Sequence, residues 1–117
     1  MKPVNTLTIF ITGSTDGIGK LTALQLAKQN VHILIHGRNE EKVARVVEEI
    51  KYATRNNNVN GFVADLSSLD EVRKLANEVL EKHNKIGVLI NNAGAGTVDK
   101  RLWELSTQLT GLKEKLS

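Results

Sequence analysis

Two kinds of hydrophobic pattern alternate along the chain. Short apolar runs at Leu7–Ile11, Val31–Ile35, Asn60–Ala64 and Gly87–Ile90 predict four strands. Between them, helical spacing predicts helices over about Ile18–Gln29, Glu40–Arg55 and Leu69–His83. Val43, Val46, Val47 and Ile50 share one face of the second helix, and Leu69, Val72, Leu75, Ala76, Val79 and Leu80 form a stripe on the third. A last helix over Lys100–Leu116 places Leu102, Leu105, Leu109, Leu112 and Leu116 at alternating three- and four-residue steps.

Local signals mark the boundaries. Asn30 stands where a left-handed residue closes the first helix. Asn39 is a candidate N-cap for the second, and the polar turn Asn56-Asn57-Asn58 ends it. Ser68 and Glu71 fit a capping box at the start of the third.

Strands separated by helices require right-handed crossovers, hence a parallel sheet. Nearly continuous apolar strands agree, because a parallel sheet is covered on both faces. The expected architecture is α/β, a doubly wound parallel sheet of about four strands in the order 3-2-1-4. Residues 1–117 read as a single domain, without linker, repeat or low-complexity segment.

Composition narrows the function. The apolar fraction is 40% and the charged fraction 25%, ordinary for a globular domain. There is no cysteine, which removes disulfides, thiol chemistry and cysteine-bound metal and suits a cytoplasmic location. No apolar run reaches the ~20 residues of a membrane span, and the N-terminus lacks a signal-peptide core. Net charge is +3, basic and acidic residues intermingle, and aromatics are 3%, so a nucleic-acid surface is not expected.

The chemistry gathers after the strands, where ligands bind in open α/β sheets. The first strand is followed by Thr12-Gly13-Ser14-Thr15-Asp16-Gly17-Ile18-Gly19 and then a helix. In that context Gly13 takes a turn conformation closed to other residues, Gly17 lets backbone approach an anion, and Gly19 lets the helix pack closely. The helix start then presents N–H groups and a favourable dipole to phosphate. After the second strand comes His36-Gly37-Arg38-Asn39. An NAD site would carry an acid there for the ribose 2′-hydroxyl; Arg38 instead suits a 2′-phosphate and favours NADP(H) over NAD(H), although Glu40 and Glu41 lie beside it. Arg38 as a solvated residue near a helix start is the plainer alternative. Asp65 after the third strand reads either as an acceptor for an adenine amino group or as a polar strand end. Asn91-Asn92-Ala93-Gly94 after the fourth reads either as a ligand-facing turn or as ordinary turn chemistry.

Taken together, the glycine motif, Asp65 and Asn91-Asn92-Ala93-Gly94 match, in type, order and spacing, the cofactor half of the short-chain dehydrogenase/reductase family, which residues 7–94 resemble. The resemblance implies a three-layer Rossmann-like fold and hydride transfer between NADPH and a carbonyl or alcohol. It implies that Gly13, Ser14, Thr15, Asp16 and Ile18, with Gly17 and Gly19 of the same cofactor-binding turn, line the pyrophosphate and nearby ribose, that Arg38 and Asn39 flank the adenosine ribose, and that Asp65 and Leu66 hold adenine. Asn92, Ala93 and Gly94 would border the ribose next to nicotinamide.

The family's proton chemistry uses a tyrosine, a lysine four residues later and a serine. The single tyrosine here is Tyr52, followed four residues on by Asn56, and Ser106 and Ser117 have no tyrosine–lysine partner. No catalytic residue is assigned, and none of His32, His36 and His83 is expected to catalyse or bind metal. Residues 95–117 diverge from the family. The expectation is a truncated, NADP(H)-binding portion of an oxidoreductase that does not turn over alone; a non-catalytic dinucleotide-binding or interaction module, or a subunit whose partner supplies tyrosine and lysine, are the alternatives. Strand four would be an exposed edge, so homodimerisation through it or through the last helix, or poor solubility, is expected.

Overall fold

The computed structural model describes residues 7–83, 86–92, 105, 108 and 109. Strands β1 (Thr8–Ile11), β2 (His32–Gly37), β3 (Val59–Val63) and β4 (Val88–Ile90) alternate with helices α1 (Gly17–Ala27), α2 (Glu40–Thr54) and α3 (Leu69–His83). The four strands form one sheet in the order β3-β2-β1-β4. Every pairing is parallel, for example Phe10 with Leu34 and Leu89. This is the expected doubly wound α/β, Rossmann-like arrangement, and it brings the carboxyl ends of all four strands to one edge of the molecule.

Side-chain alternation along the strands divides the core. Ile9, Ile11, Ile33 and Ile35 point to the face covered by α1 and α2, where they meet Ala23, Ala27, Val43, Val46 and Ile50. Phe10, Leu34 and Phe62 point to the other face, against Val72, Leu75, Ala76 and Val79 of α3 and Leu105 and Leu109. Each fully buried large side chain contributes about 1.5–3 kcal/mol of burial free energy. α1 reaches the sheet through small residues at four-residue intervals, Gly19, Ala23 and Ala27. Residues 105, 108 and 109 are helical, and the two leucines among them are buried as the leucine pattern predicts. The rest of the expected Lys100–Leu116 helix lies outside the described residues, as do Ala93 and Gly94.

The α3 range agrees with the sequence reading, and the other bounds shift slightly. β2 continues beyond Ile35, because His36 and Gly37 pair with Phe62 and Val63 of β3; these two residues belong to the strand and not to the connection after it. α1 stops at Ala27, and Asn30 takes the expected left-handed conformation at φ 64°. α2 stops at Thr54 because Arg55, at φ 59°, is its left-handed cap. Asn39 caps α2 as expected, accepting a hydrogen bond from Lys42 N at 2.9 Å. The capping box of α3 is half formed. Ser68 Oγ accepts from Glu71 N at 3.3 Å, but the Glu71 carboxylate accepts from Asp65 N at 2.8 Å instead of from Ser68. That diversion ties the start of α3 to the end of β3. No helix among the described residues is long and apolar enough to cross a membrane.

Candidate functional site

The turn after β1 requires glycine at two places: Gly13 has φ 60° and Gly17 φ 58°. α1 begins directly behind them, and its start differs from those of its neighbours. α2 has the Asn39 cap with Glu40 and Glu41 in its first turn, and α3 has Asp70 and Glu71. α1 has no acid in its first turn, and Asp16, at its N-cap, makes no side-chain cap bond. Asp16 instead accepts a hydrogen bond from Lys42 Nζ at 2.6 Å. That bond and the lysine charge hold the Asp16 carboxyl below the usual carboxylate range. Among the described residues, therefore, no protein anion is seated on the N–H groups at the positive end of the α1 dipole.

The turn is held from behind. Thr12 N donates to Ile90 O at 3.0 Å, and Ser14 N donates to His36 O at 2.9 Å. The buried Ser14 hydroxyl donates to Ile11 O at 2.8 Å and accepts from His36 N at 2.9 Å. Asn92 Nδ2 donates to Gly13 O at 2.9 Å, linking the end of β4 to the turn. Gly19 sits beneath this junction. A Cβ there would collide with the Gly13 carbonyl oxygen and stand 2.6 Å from Asn92 Nδ2.

His36 adds the last support. The residue is 2% exposed, and Nδ1 lies 2.9 Å from Gly13 N while Nε2 lies 3.0 Å from Ala64 O. A backbone N–H can only donate, so Nδ1 is the acceptor and Nε2 carries the proton it gives to Ala64. Burial pushes the His36 pKa below the ordinary histidine value, partly opposed by the bond to Ala64.

In front of the turn opens a cavity of about 420 Å³. The glycine turn contributes Gly13, Thr15 and Asp16; the end of β2 and the start of α2 contribute His36, Gly37, Arg38, Asn39 and Lys42; the β3–α3 turn contributes Asp65, Leu66 and Ser67. Arg38 is exposed and has no ion-pair partner among the described residues. Asp65 Oδ1 accepts from Ser67 N at 2.9 Å and from Ser67 Oγ at 2.7 Å, which shapes the turn around Leu66. Beside the helix start, two cations (Arg38 and the Asp16-paired Lys42), two carboxylates (Asp16 and Asp65), neutral polar groups and one apolar side chain, Leu66, converge here. Such a cavity can take a phosphate-bearing ligand with a flat polar ring.

Of the residues expected at the site, Gly13, Thr15, Asp16, Arg38, Asn39, Asp65 and Leu66 line this cavity. Ser14 does not, because its hydroxyl faces inward. Gly17 and Ile18 form the helix start, with Ile18 76% exposed. Gly19 and Asn92 stand behind Gly13 as supports. The structure also brings in residues that sequence reasoning passed over. Lys42 falls one helical turn beyond Arg38, a spacing that was legible. Gly37 is needed because a Cβ there would lie 2.6 Å from Thr15 Cγ2 and 3.0 Å from Val43 Cγ2, and nothing in the sequence announced that approach. His36 was legible only as a histidine near the turn.

The remaining titratable residues lie elsewhere. Tyr52 is 89% exposed on α2. His32, at the amino end of β2, packs edge-on against His83 with ring centroids 4.7 Å apart and meets Asn60 Oδ1 at 2.7 Å. Burial, His32 and Lys82 lower the His83 pKa. Among the described residues no group of three or more His, Cys, Asp or Glu could hold a metal ion.

Comparison with known proteins agrees with this geometry. Human retinol dehydrogenase 13 is 39% identical over 87 residues, covering 74% of this chain and 26% of that protein. Human polyprenol dehydrogenase is 41% identical over 91 residues, covering 78% of this chain and 28% of that protein. The chain thus spans about a quarter of the length of these relatives. A metagenomic short-chain oxidoreductase solved in complex with NADP superposes with a TM-score of 0.72 at 27% identity, over 92% of this chain and 51% of that one. Actinorhodin polyketide ketoreductase shares the fold, with a TM-score of 0.76 over 98% of this chain and 51% of that one at 24% identity. The family model for short chain dehydrogenases matches residues 7–110, and the chain belongs to that family.

Proposed function

We propose that this chain is the NADP(H)-binding portion of a short-chain dehydrogenase/reductase-type oxidoreductase. The observation that carries the reading is the uncapped, acid-free start of α1, set behind a glycine turn and facing the cavity at the strand ends. The NADP-bound metagenomic relative supports a nicotinamide dinucleotide as the ligand. When bound, such a cofactor supplies the hydride for carbonyl–alcohol interconversion.

In this reading the residues divide the ligand among them. Gly13, Thr15, Asp16, Gly17 and Ile18 border the pyrophosphate, with Ser14 and Gly19 shaping the turn from behind. Arg38 faces the 2′-phosphate of the adenosine ribose and Asn39 flanks that ribose, which favours NADP(H) over NAD(H). Asp65 and Leu66 hold the adenine side. Asn92, Ala93 and Gly94 border the ribose next to nicotinamide.

We further propose that these residues bind cofactor without turning it over alone. The exposed position of Tyr52, the single tyrosine, supports binding without a proton donor at the site. A dinucleotide-binding module, and a subunit whose partner supplies tyrosine and lysine, share that expectation. Self-association through β4 or the helix expected over Lys100–Leu116 belongs to the same proposal, and a concentration-independent monomer in sedimentation would count against it. The test is NADPH binding followed by turnover with a panel of carbonyl compounds. Binding without turnover is expected; NADPH oxidation by the purified chain would overturn the non-catalytic part.

A further inference from the structure

A buried histidine joins the glycine turn to the end of β3 on the far side of the cavity. His36 sits on β2, accepts from Gly13 N with Nδ1 at 2.9 Å and donates from Nε2 to Ala64 O at 3.0 Å. Its own backbone meets Ser14 in both directions, N–H to hydroxyl and carbonyl to N–H, at 2.9 Å each. The ring also packs edge-on against Phe10, with centroids 6.3 Å apart. We propose that His36 is a positioning residue of the dinucleotide site: its neutral ring clasps the glycine turn to the end of β3, and protonation releases the clasp and weakens dinucleotide binding.

The chemistry follows from the donor count. Neutral imidazole has one acceptor and one donor nitrogen, which this geometry uses completely. Imidazolium has two donors and no acceptor. A proton on Nδ1 would point at the Gly13 N–H, so two donors would face each other in a buried space. The turn or the ring must then move, and Gly13 is the residue whose φ of 60° sets the turn. The charged groups that line the cavity together with His36 are Asp16 on the glycine turn, Arg38 and Lys42 on the β2–α2 side, and Asp65 on the β3–α3 turn. Among the described residues no carboxylate bonds to either ring nitrogen, and burial disfavours the charged ring. Aspartate or asparagine chemistry at other sites would not give this coupling, because only the histidine converts from acceptor to donor near neutral pH.

The inference rests on the dinucleotide-binding reading, and its test separates the two. NAD⁺ is the probe, because it lacks a 2′-phosphate that would itself ionise in the range. Its dissociation constant is measured by calorimetry between pH 5 and 8 for the wild type and for His36→Asn, whose Oδ1 accepts without titrating. In parallel, NMR follows the His36 ring nitrogens and the Gly13 amide. The wild type is expected to bind with constant affinity at the alkaline end. Below a break under pH 6.5 it should weaken about tenfold per pH unit. The neutral ring should carry its proton on Nε2, and the Gly13 amide should shift through the same break. His36→Asn should lose the break; if that variant does not fold, the coincidence of the ring and Gly13 titrations decides alone. NAD⁺ binding with a flat profile, tighter binding in acid, a break that persists in His36→Asn, or a proton on Nδ1 of the neutral ring overturns the inference and leaves the dinucleotide reading standing. Absence of NAD⁺ and NADPH binding at every pH overturns both.

Discussion

Replacing Gly19 with alanine tests how closely α1 and the glycine turn are packed. The added Cβ would collide with the Gly13 carbonyl oxygen, stand 3.1 Å from the Gly13 carbonyl carbon and lie 2.6 Å from Asn92 Nδ2. The Asn92 amide can swing away, but only by giving up its 2.9 Å bond to Gly13 O. The turn itself cannot retreat, because Ser14 and His36 hold it. Overpacking of this kind costs about 1–3 kcal/mol. Loss of the Asn92 bond adds about 0.5–1.5 kcal/mol. Alanine also regains about 1 kcal/mol of helix propensity over glycine, an opposing contribution too small to cancel the rest. The net destabilisation is about 0.5–3.5 kcal/mol, which corresponds to a fall in Tm of about 2–14 °C for a domain of this size. Thermal unfolding followed by circular dichroism measures it. The same substitution placed on Asn92→Ala should cost less than in the wild type, since one obstacle and one bond are already gone. A Gly19→Ala protein that melts at or above the wild-type temperature would mean that propensity outweighs contact. Strict additivity with Asn92→Ala would remove Asn92 from the junction.

Arg38→Ala should weaken NADPH binding about 10–100-fold, the range of a charge-assisted phosphate contact, and NADH binding far less; equal losses in paired fluorescence titrations would remove Arg38 from the 2′-phosphate. Asn56→Ala should cost about 2–4 kcal/mol in urea unfolding, because the buried Asn56 amide donates to both Ala27 O and Val31 O at 3.0 and 2.7 Å, and both carbonyls would be left without it; a midpoint within error of the wild type would contradict this. His36 and His83 have folded-state pKa values below the ordinary 6.5, so the unfolded chain takes up protons first as the pH falls. Stability is therefore complete above about pH 6.5 and declines below it, with His36 contributing a slope of up to about 1.4 kcal/mol per pH unit until its folded value is reached. Denaturant unfolding at pH 5, 6 and 7 should show that decline, and His36→Asn should flatten it; unchanged stability over this range would refute the burial argument. Asp16 and Glu49, whose pKa values Lys42 and Lys20 hold down, act in a separate, more acidic window.

The sheet order was legible because period and length speak directly to strand and helix, and because chirality leaves few ways to connect parallel strands. α3 was readable to the residue, since the Ser68 signal and a clean apolar stripe mark its ends. The end of β2 was not, because His36 and Gly37 look like connection chemistry and are strand residues only through pairing with Phe62 and Val63. The glycine turn was legible by spacing, but the division of labour within it was not. Ser14 reads as a ligand-facing hydroxyl, and its orientation toward Ile11 and His36 depends on β2 lying alongside. Asn56 likewise reads as one of three turn asparagines, while its amide reaches across 25 and 29 residues to the α1–β2 connection. Local composition announces turns and caps; contacts made across the sheet become visible only when the strands are assembled.

The central claim is that the glycine turn and the uncapped start of α1 hold a dinucleotide with a 2′-phosphate. Fluorescence titration of the purified chain with NADPH and NADH at neutral pH and moderate salt tests it most directly. The account predicts saturable one-to-one binding of both, with NADPH the tighter ligand. No saturable binding of either, or tighter binding of NADH, would contradict it.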